Sequence, residues 1–69
     1  MATWTEQDGL QTLVAGELSG VVMTTKPEGG RYKWEVIKNE VVVVRGEARR
    51  LASARERALL SMVDLLLPA

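Results

Sequence analysis

The residue types that most often carry out chemistry in proteins are missing from this sequence. It contains no histidine and no cysteine, which removes the usual general base, the thiolate nucleophile and the common ligands of zinc. Hydroxyl groups remain at Ser19, Ser53, Ser61 and Tyr32. An activated hydroxyl would need a lysine or carboxylate partner, and no spacing in the chain supplies one. We therefore expect no enzymatic activity and no small-molecule substrate.

The acidic residues do not suggest a site either. The nine acidic side chains are scattered singly, and the two closest in sequence are Glu6 and Asp8. Catalysis by paired carboxylates needs both groups beside one bond, and a calcium loop needs several oxygen ligands at short, regular spacing. The sequence meets neither requirement, so we expect no metal and no cofactor.

The charge balance argues against a general affinity for nucleic acid. Nine basic residues cancel nine acidic ones, so the chain lacks the strong positive field that drives non-specific binding. Basic residues do gather loosely around the last predicted strand and the hairpin before it. The side chains that would contact nucleic acid there are Arg31, Lys33, Arg49 and Arg50. Interspersed glutamates make this interaction the less favoured prediction.

The chain is short enough to form one domain, residues 1–69. A domain of this size has a small core and is marginally stable unless packing or association with another chain supplements it. No basic region is followed by a long apolar run, so neither a signal peptide nor a membrane span is predicted. Since a chain without cysteine suits a reducing compartment, we expect a cytoplasmic protein.

Turn signals divide the first two thirds of the chain into short β-strands. Asp8-Gly9 and Lys38-Asn39 mark turns, Ser19-Gly20 is interpreted as a break, and Gly46 as the end of a valine-rich run. In the segment before that run Tyr32, Trp34 and Val36 alternate with charged residues, as in a half-buried strand whose tryptophan packs in the core. Three strands joined by tight turns are predicted, and whether residues 3–6 add a fourth is left open.

A helical period begins after Glu47. The capping-box pattern predicts a start at Ser53, although a start near Arg50 is equally defensible, and Pro68 is expected to end the helix. One broad apolar face should cover the sheet: Leu51, Ala54, Ala58, Leu59, Met62, Leu65 and Leu66. The predicted fold is therefore α+β, an antiparallel three- to four-stranded β-meander packed against one C-terminal α-helix.

A second apolar stripe on this helix predicts association with another chain. Leu60, Val63 and Leu67 form the stripe, and a helix lying on a single sheet usually needs only one apolar face. Burying these side chains is worth roughly 1.5 to 3 kcal/mol each. We expect a homodimer or a docking surface for another protein, with Arg57 and Asp64 at the rim. The alternative is that a curled sheet or the N-terminal segment covers the helix on two sides.

Trp4 is the second candidate contact residue. It lies near the amino terminus, and aromatic side chains often anchor protein interfaces. The sequence does not decide between an exposed anchor and a packed ring.

The stretch from residue 31 to residue 58 resembles a recurring module of a β-sheet and a helix. The matching positions are Trp34-Glu35-Val36, Gly46-Glu47-Ala48 and Ala54-Arg55. The module occurs in short proteins encoded by phages and prophages, many of which inhibit host proteins stoichiometrically. It is also similar to the arm-binding sheet of phage-type tyrosine recombinases. The sequence departs from the recombinase pattern in lacking Ser or Thr near Arg50 and in its neutral charge.

The sequence thus predicts a small, non-enzymatic protein-interaction module. Its resemblance implies a phage-encoded inhibitor that binds and blocks a host protein, such as a defence complex or a transcriptional regulator. Two alternatives remain open, namely a DNA-binding β-sheet module and a structural subunit of a larger assembly. No membrane association is expected.

Overall fold

The computed structural model describes residues 3–25 and 29–67. Within these residues five strands precede one helix: β1 (Thr5–Gln7), β2 (Leu10–Ala15), β3 (Leu18–Met23), β4 (Tyr32–Lys38), β5 (Val41–Ala48) and α1 (Leu51–Leu66). The strands form one sheet in the order of the chain, and all neighbours are antiparallel. The predicted α+β class, an antiparallel meander with one C-terminal helix, is confirmed.

The sheet has five strands rather than three or four because tight turns pair the segments at the start of the chain. Asp8 and Gly9 both have positive φ, as in the two-residue hairpins that match the twist of a sheet. They join β1 to β2, so the segment around residues 3–6 does contribute a strand. Asn39 and Glu40 also have positive φ and join β4 to β5 in the same way.

Two glycines that were expected to interrupt or end strands lie inside them. Gly20 is in β3, and Gly46 is in β5, which continues to Ala48. A Cβ at Gly46 would lie 2.5 Å from Cζ2 of Trp34, and one at Gly20 would lie 2.7 Å from Sδ of Met62. These glycines therefore make room for large side chains on the helix side of the sheet, instead of breaking the strands.

The core lies between one face of the sheet and α1. The predicted core residue Trp34 is buried there, and its Nε1 has no hydrogen-bond partner among the described residues. The buried residues come from both layers: Leu13, Leu18, Val22, Trp34, Val36, Ala48, Ala54, Ala58 and Met62. The opposite face of the sheet has no covering element among the described residues.

The helix starts near Arg50 and not at Ser53. Arg50 is the N-cap in extended conformation, and its carbonyl accepts a hydrogen bond from the Ala54 N–H at 3.0 Å. No side chain caps this end, so the capping box predicted at Ser53 is wrong. The last helical residue is Leu66; the predicted stop at Pro68 lies outside the described residues.

The sheet-facing side of α1 is narrower than predicted. Ala54, Ala58 and Met62 are buried, one turn apart, and Leu51 is partly buried against the core. The remaining residues of the predicted broad face are exposed: Leu59, Leu65 and Leu66. The reason is geometric, because a single helix packed on β3, β4 and β5 covers only one stripe of its own circumference.

Candidate interaction surfaces

The largest apolar surface of the helix points away from the sheet. Leu60, Val63 and Leu67 are 57%, 42% and 61% exposed, so the predicted second stripe is on the surface of this chain. Leu59 and Leu66 lie beside it on the helical wheel and are also exposed. These five residues form the outer face of α1.

A side-chain hydrogen bond orients the helix on the sheet. Nη1 of Arg55 donates to Oε1 of Gln11 on β2 at 3.3 Å, and Nε2 of Gln11 donates to Oε1 of Glu6 on β1 at 3.1 Å. This flank of α1 therefore faces β2. Ser53 and Arg57 are on the other flank, beside the end of β5. The outer face is left between the two flanks, where no described element covers it.

The two predicted rim residues, Arg57 and Asp64, are exposed and lie two turns apart along the same flank. Asp64 lies at the edge of the outer face, about halfway along its length. Arg57 also lines a cleft at the start of the helix. Their assignment to an interface stays a prediction.

Trp4 is half-buried and packs against the core. Its Cη2 would lie 3.6 Å from a Cβ at Gly20, next to Met62. The ring therefore packs at the border of the core, where α1 crosses β3. Its use as a contact anchor by the remaining exposed part stays a prediction.

Basic residues line a cleft where β5 meets α1. The cleft has a volume of about 450 Å³ and is named the basic cleft below. Its lining residues are Arg31, Glu47, Ala48, Arg49, Arg50, Ser53 and Arg57. Three of the four residues predicted to contact nucleic acid meet here, whereas Lys33 lines a separate groove on the open face of the sheet.

Arg57 also lines this cleft, although it is not among the residues predicted to contact nucleic acid. The signal was present, because Arg57 follows Arg50 by two helical turns and so lies on the same side of α1. The position of Arg31 follows from the β4–β5 pairing, in which Tyr32 is opposite Ala48. The residues next outward from that pair are Arg31 and Arg49.

The open face of the sheet carries a groove of about 630 Å³. Leu10, Val21, Met23 and Ile37 supply its apolar part. Beside them, opposite charges stand across from each other on neighbouring strands. Lys33 is paired with Glu47 and Glu35 with Arg45 in the β4–β5 register, an arrangement that favours this pairing.

The two edges of the sheet differ in length and polarity. β1 has three polar residues, while β5 has eight and begins with four valines. Val41, Val42 and Val43 are exposed, and the register shifts between Val36 and Ile37 opposite them, as at a β-bulge. Bulges discourage edge-to-edge pairing. The exposed valines nevertheless make β5 the edge strand with more apolar surface for pairing with another chain.

The described part of the chain shows no group of three or more acidic residues arranged to hold a metal ion. None of its helices is long and apolar enough to cross a membrane. No protein family, curated protein or solved structure matches this chain.

Proposed function

We propose that this protein is a small non-enzymatic interaction module that self-associates through the outer face of α1 and binds another protein with its remaining surface. The outer face supports the self-association, since its apolar side chains have no cover within the described chain. The proposal for a target protein rests on the sequence and on the apolar surface that remains outside α1.

The distribution of side-chain size around α1 is the observation that carries the proposal. Two of the three helix residues that are buried against the sheet are alanines, Ala54 and Ala58, and the third is Met62. Leu60, Val63 and Leu67, which are larger than alanine, face outward. A helix that served only its own sheet would gain most by burying its largest aliphatic residues. The sheet fully buries one large side chain of α1, Met62, and the surplus of exposed aliphatic side chains supports the proposal that a second protein surface buries them.

The spacing of the outer face suits a second copy of the same helix. Leu60, Val63 and Leu67 follow one another at intervals of three and four residues, the spacing of a helix–helix seam. A twofold interface uses the same patch on both subunits, so one apolar stripe is sufficient for a dimer. No cysteine stabilises this small domain, and dimer formation would supplement its core.

Two apolar areas remain available to a target after such dimerisation. They are the groove on the open face of the sheet and the valine edge of β5, neither of which includes outer-face residues. Peptide-binding proteins often add an extended segment to a sheet edge. Inhibition of a host protein by a phage-encoded chain is proposed from the sequence resemblance alone.

Sedimentation equilibrium over a range of protein concentrations tests the self-association. We expect a dimer whose stability changes little with salt, because the contact is apolar. Val63→Asp should raise the dimer dissociation constant on the order of a hundredfold, since each subunit would bring one unpaired carboxylate into the interface. Circular dichroism should show an intact fold.

Val14→Asp is the matched control, because Val14 is more exposed than Val63 but lies on β2. It should leave the dimer unchanged. A wild-type chain that stays monomeric at every concentration contradicts the proposal. A second contradicting result concerns protein concentrations at which the wild-type chain is a folded monomer. If Val63→Asp is unfolded at those concentrations, Val63 belongs to the core and not to an interface.

A structural subunit is the second candidate, and the valine edge of β5 favours it. The outer face and this edge lie on different parts of the surface, and two unlike interfaces permit open assemblies. In the same sedimentation experiment, species that keep growing beyond the dimer would support the subunit.

A further inference from the structure

Four exposed arginines and one exposed glutamate line the basic cleft. Arg31 precedes β4, Arg49 and Arg50 follow β5, and Arg57 comes from the second turn of α1. Glu47 is the one acid among the described lining residues. The excess of positive charge is notable because the whole chain is neutral.

Three of the nine acidic residues are at the opposite end of the molecule. The β2–β3 and β4–β5 turns contain Glu17 and Glu40, and Asp64 is in the last turn of α1. The antiparallel register places both turns at the far end of the strands from Ala48, where the basic cleft begins. The positive charge of the basic cleft is therefore balanced in part by acids at a distance and not by the residues that line the cleft.

The start of α1 runs against the usual preferences of helices. N-cap positions favour Ser, Thr, Asp or Asn, and the first turn favours acidic residues. Here the N-cap is Arg50, no side chain caps the helix, and the first turn has no acid. Adjacent cations at the positive end of a helix destabilise it unless an anion is present. Departures of this kind concentrate at functional sites.

We propose that the basic cleft binds a phosphoryl oxyanion. Guanidinium groups donate pairs of hydrogen bonds to phosphoryl oxygens. Four arginines against one glutamate favour a phosphoryl group with at least two negative charges over a single carboxylate. Ser53 adds a hydroxyl group at the cleft wall. The volume of about 450 Å³ falls within the range of small-ligand sites.

This site goes beyond the proposed self-association and does not depend on it. Of the residues that line the cleft, none belongs to the outer face. No small-molecule substrate is expected from the sequence, and the ligand inferred for this site is bound without being transformed. A free phosphorylated compound and a nucleic-acid backbone share the recognised group.

Isothermal titration calorimetry with inorganic pyrophosphate at low ionic strength tests the inference. We expect saturable binding to the wild-type protein. Arg31→Gln and Arg50→Gln should each weaken it on the order of tenfold, the loss expected for one charge-assisted contact. Arg45→Gln is the matched control, because Arg45 is an exposed arginine of β5 outside the cleft. It should change the affinity less than about twofold.

Two results would overturn the inference. One is the absence of saturable binding of pyrophosphate and of a short DNA duplex. The other is equal weakening by all three substitutions, which would indicate attraction by overall charge. If pyrophosphate displaces the duplex and Arg31→Gln and Arg50→Gln weaken both probes, the source is a nucleic-acid backbone. If pyrophosphate binds and the duplex does not, the source is a small phosphorylated compound.

Discussion

The two sides of α1 differ in the size of their side chains. The side against the sheet has two alanines and Met62, and the outer face has four leucines and a valine. The difference has a structural cause, because Trp34 and the other buried sheet residues already fill the space beneath the helix. Small residues allow the helix to approach closely, and the large residues are left for a second surface. Hydrophobicity alone therefore does not identify the buried side of a helix; the available volume does.

Enlarging the inner side should have the largest effect on stability. In Ala58→Leu, three further carbon atoms would have to fit beside Gly20 and Met62, so we expect a loss of about 3 kcal/mol in the free energy of unfolding. Urea denaturation of the monomeric chain measures it. The matched change on the outer face, Leu60→Ala, should cost no more than about 0.5 kcal/mol under the same conditions. Similar losses for the two variants would contradict the contrast between the two sides.

Adding a methyl group to a glycine of the sheet, beneath α1, should have the next largest effect on stability. Gly46→Ala would press against the rigid indole of Trp34, and we expect a loss of about 2 kcal/mol. Gly20→Ala would press against the flexible end of Met62, which can move aside, so about 1 kcal/mol is expected. Thermal denaturation of both variants gives the comparison. A larger loss of stability in Gly20→Ala than in Gly46→Ala would contradict this expectation. It would mean that the indole of Trp34 moves aside more easily than the thioether of Met62.

Replacing the arginine at the N-cap of α1 should have the smallest effect on stability, and it should increase the free energy of unfolding. Arg50→Asp places a capping carboxylate at the positive end of α1, so the free energy of unfolding should rise by about 1 kcal/mol. The same variant should lose pyrophosphate binding, which calorimetry measures beside the urea titration. If the variant is more stable and binds pyrophosphate as tightly as the wild-type protein, Arg50 does not contribute to the anion site.

Much of the fold could be predicted because its signals are local. The alternation around Trp34 and the helical period after Glu47 each identify one element from neighbouring residues. The first strands were harder, since β1 consists of three polar residues and has no apolar pattern. Its pairing follows from the turn at Asp8-Gly9.

The candidate surfaces were predictable only in part. The residues Leu60, Val63 and Leu67 could be chosen from the helical wheel, and they are exposed. The same wheel placed Leu59 and Leu66 on the covered side, because periodicity does not reveal how wide the sheet contact is. Arg31 and Arg57, distant in sequence, meet only after the β4–β5 pairing and the turn into α1 are known.

The order of the elements also has a consequence for folding. Every strand pairs with its predecessor in the chain, so the sheet needs few long loops to close and should form rapidly. Among the described residues α1 is the last of six elements, and before it packs on the sheet Trp34 and Val36 are exposed to solvent. The valine edge of β5 is exposed during the same interval. The chain is therefore most prone to aggregation before its helix packs on the sheet.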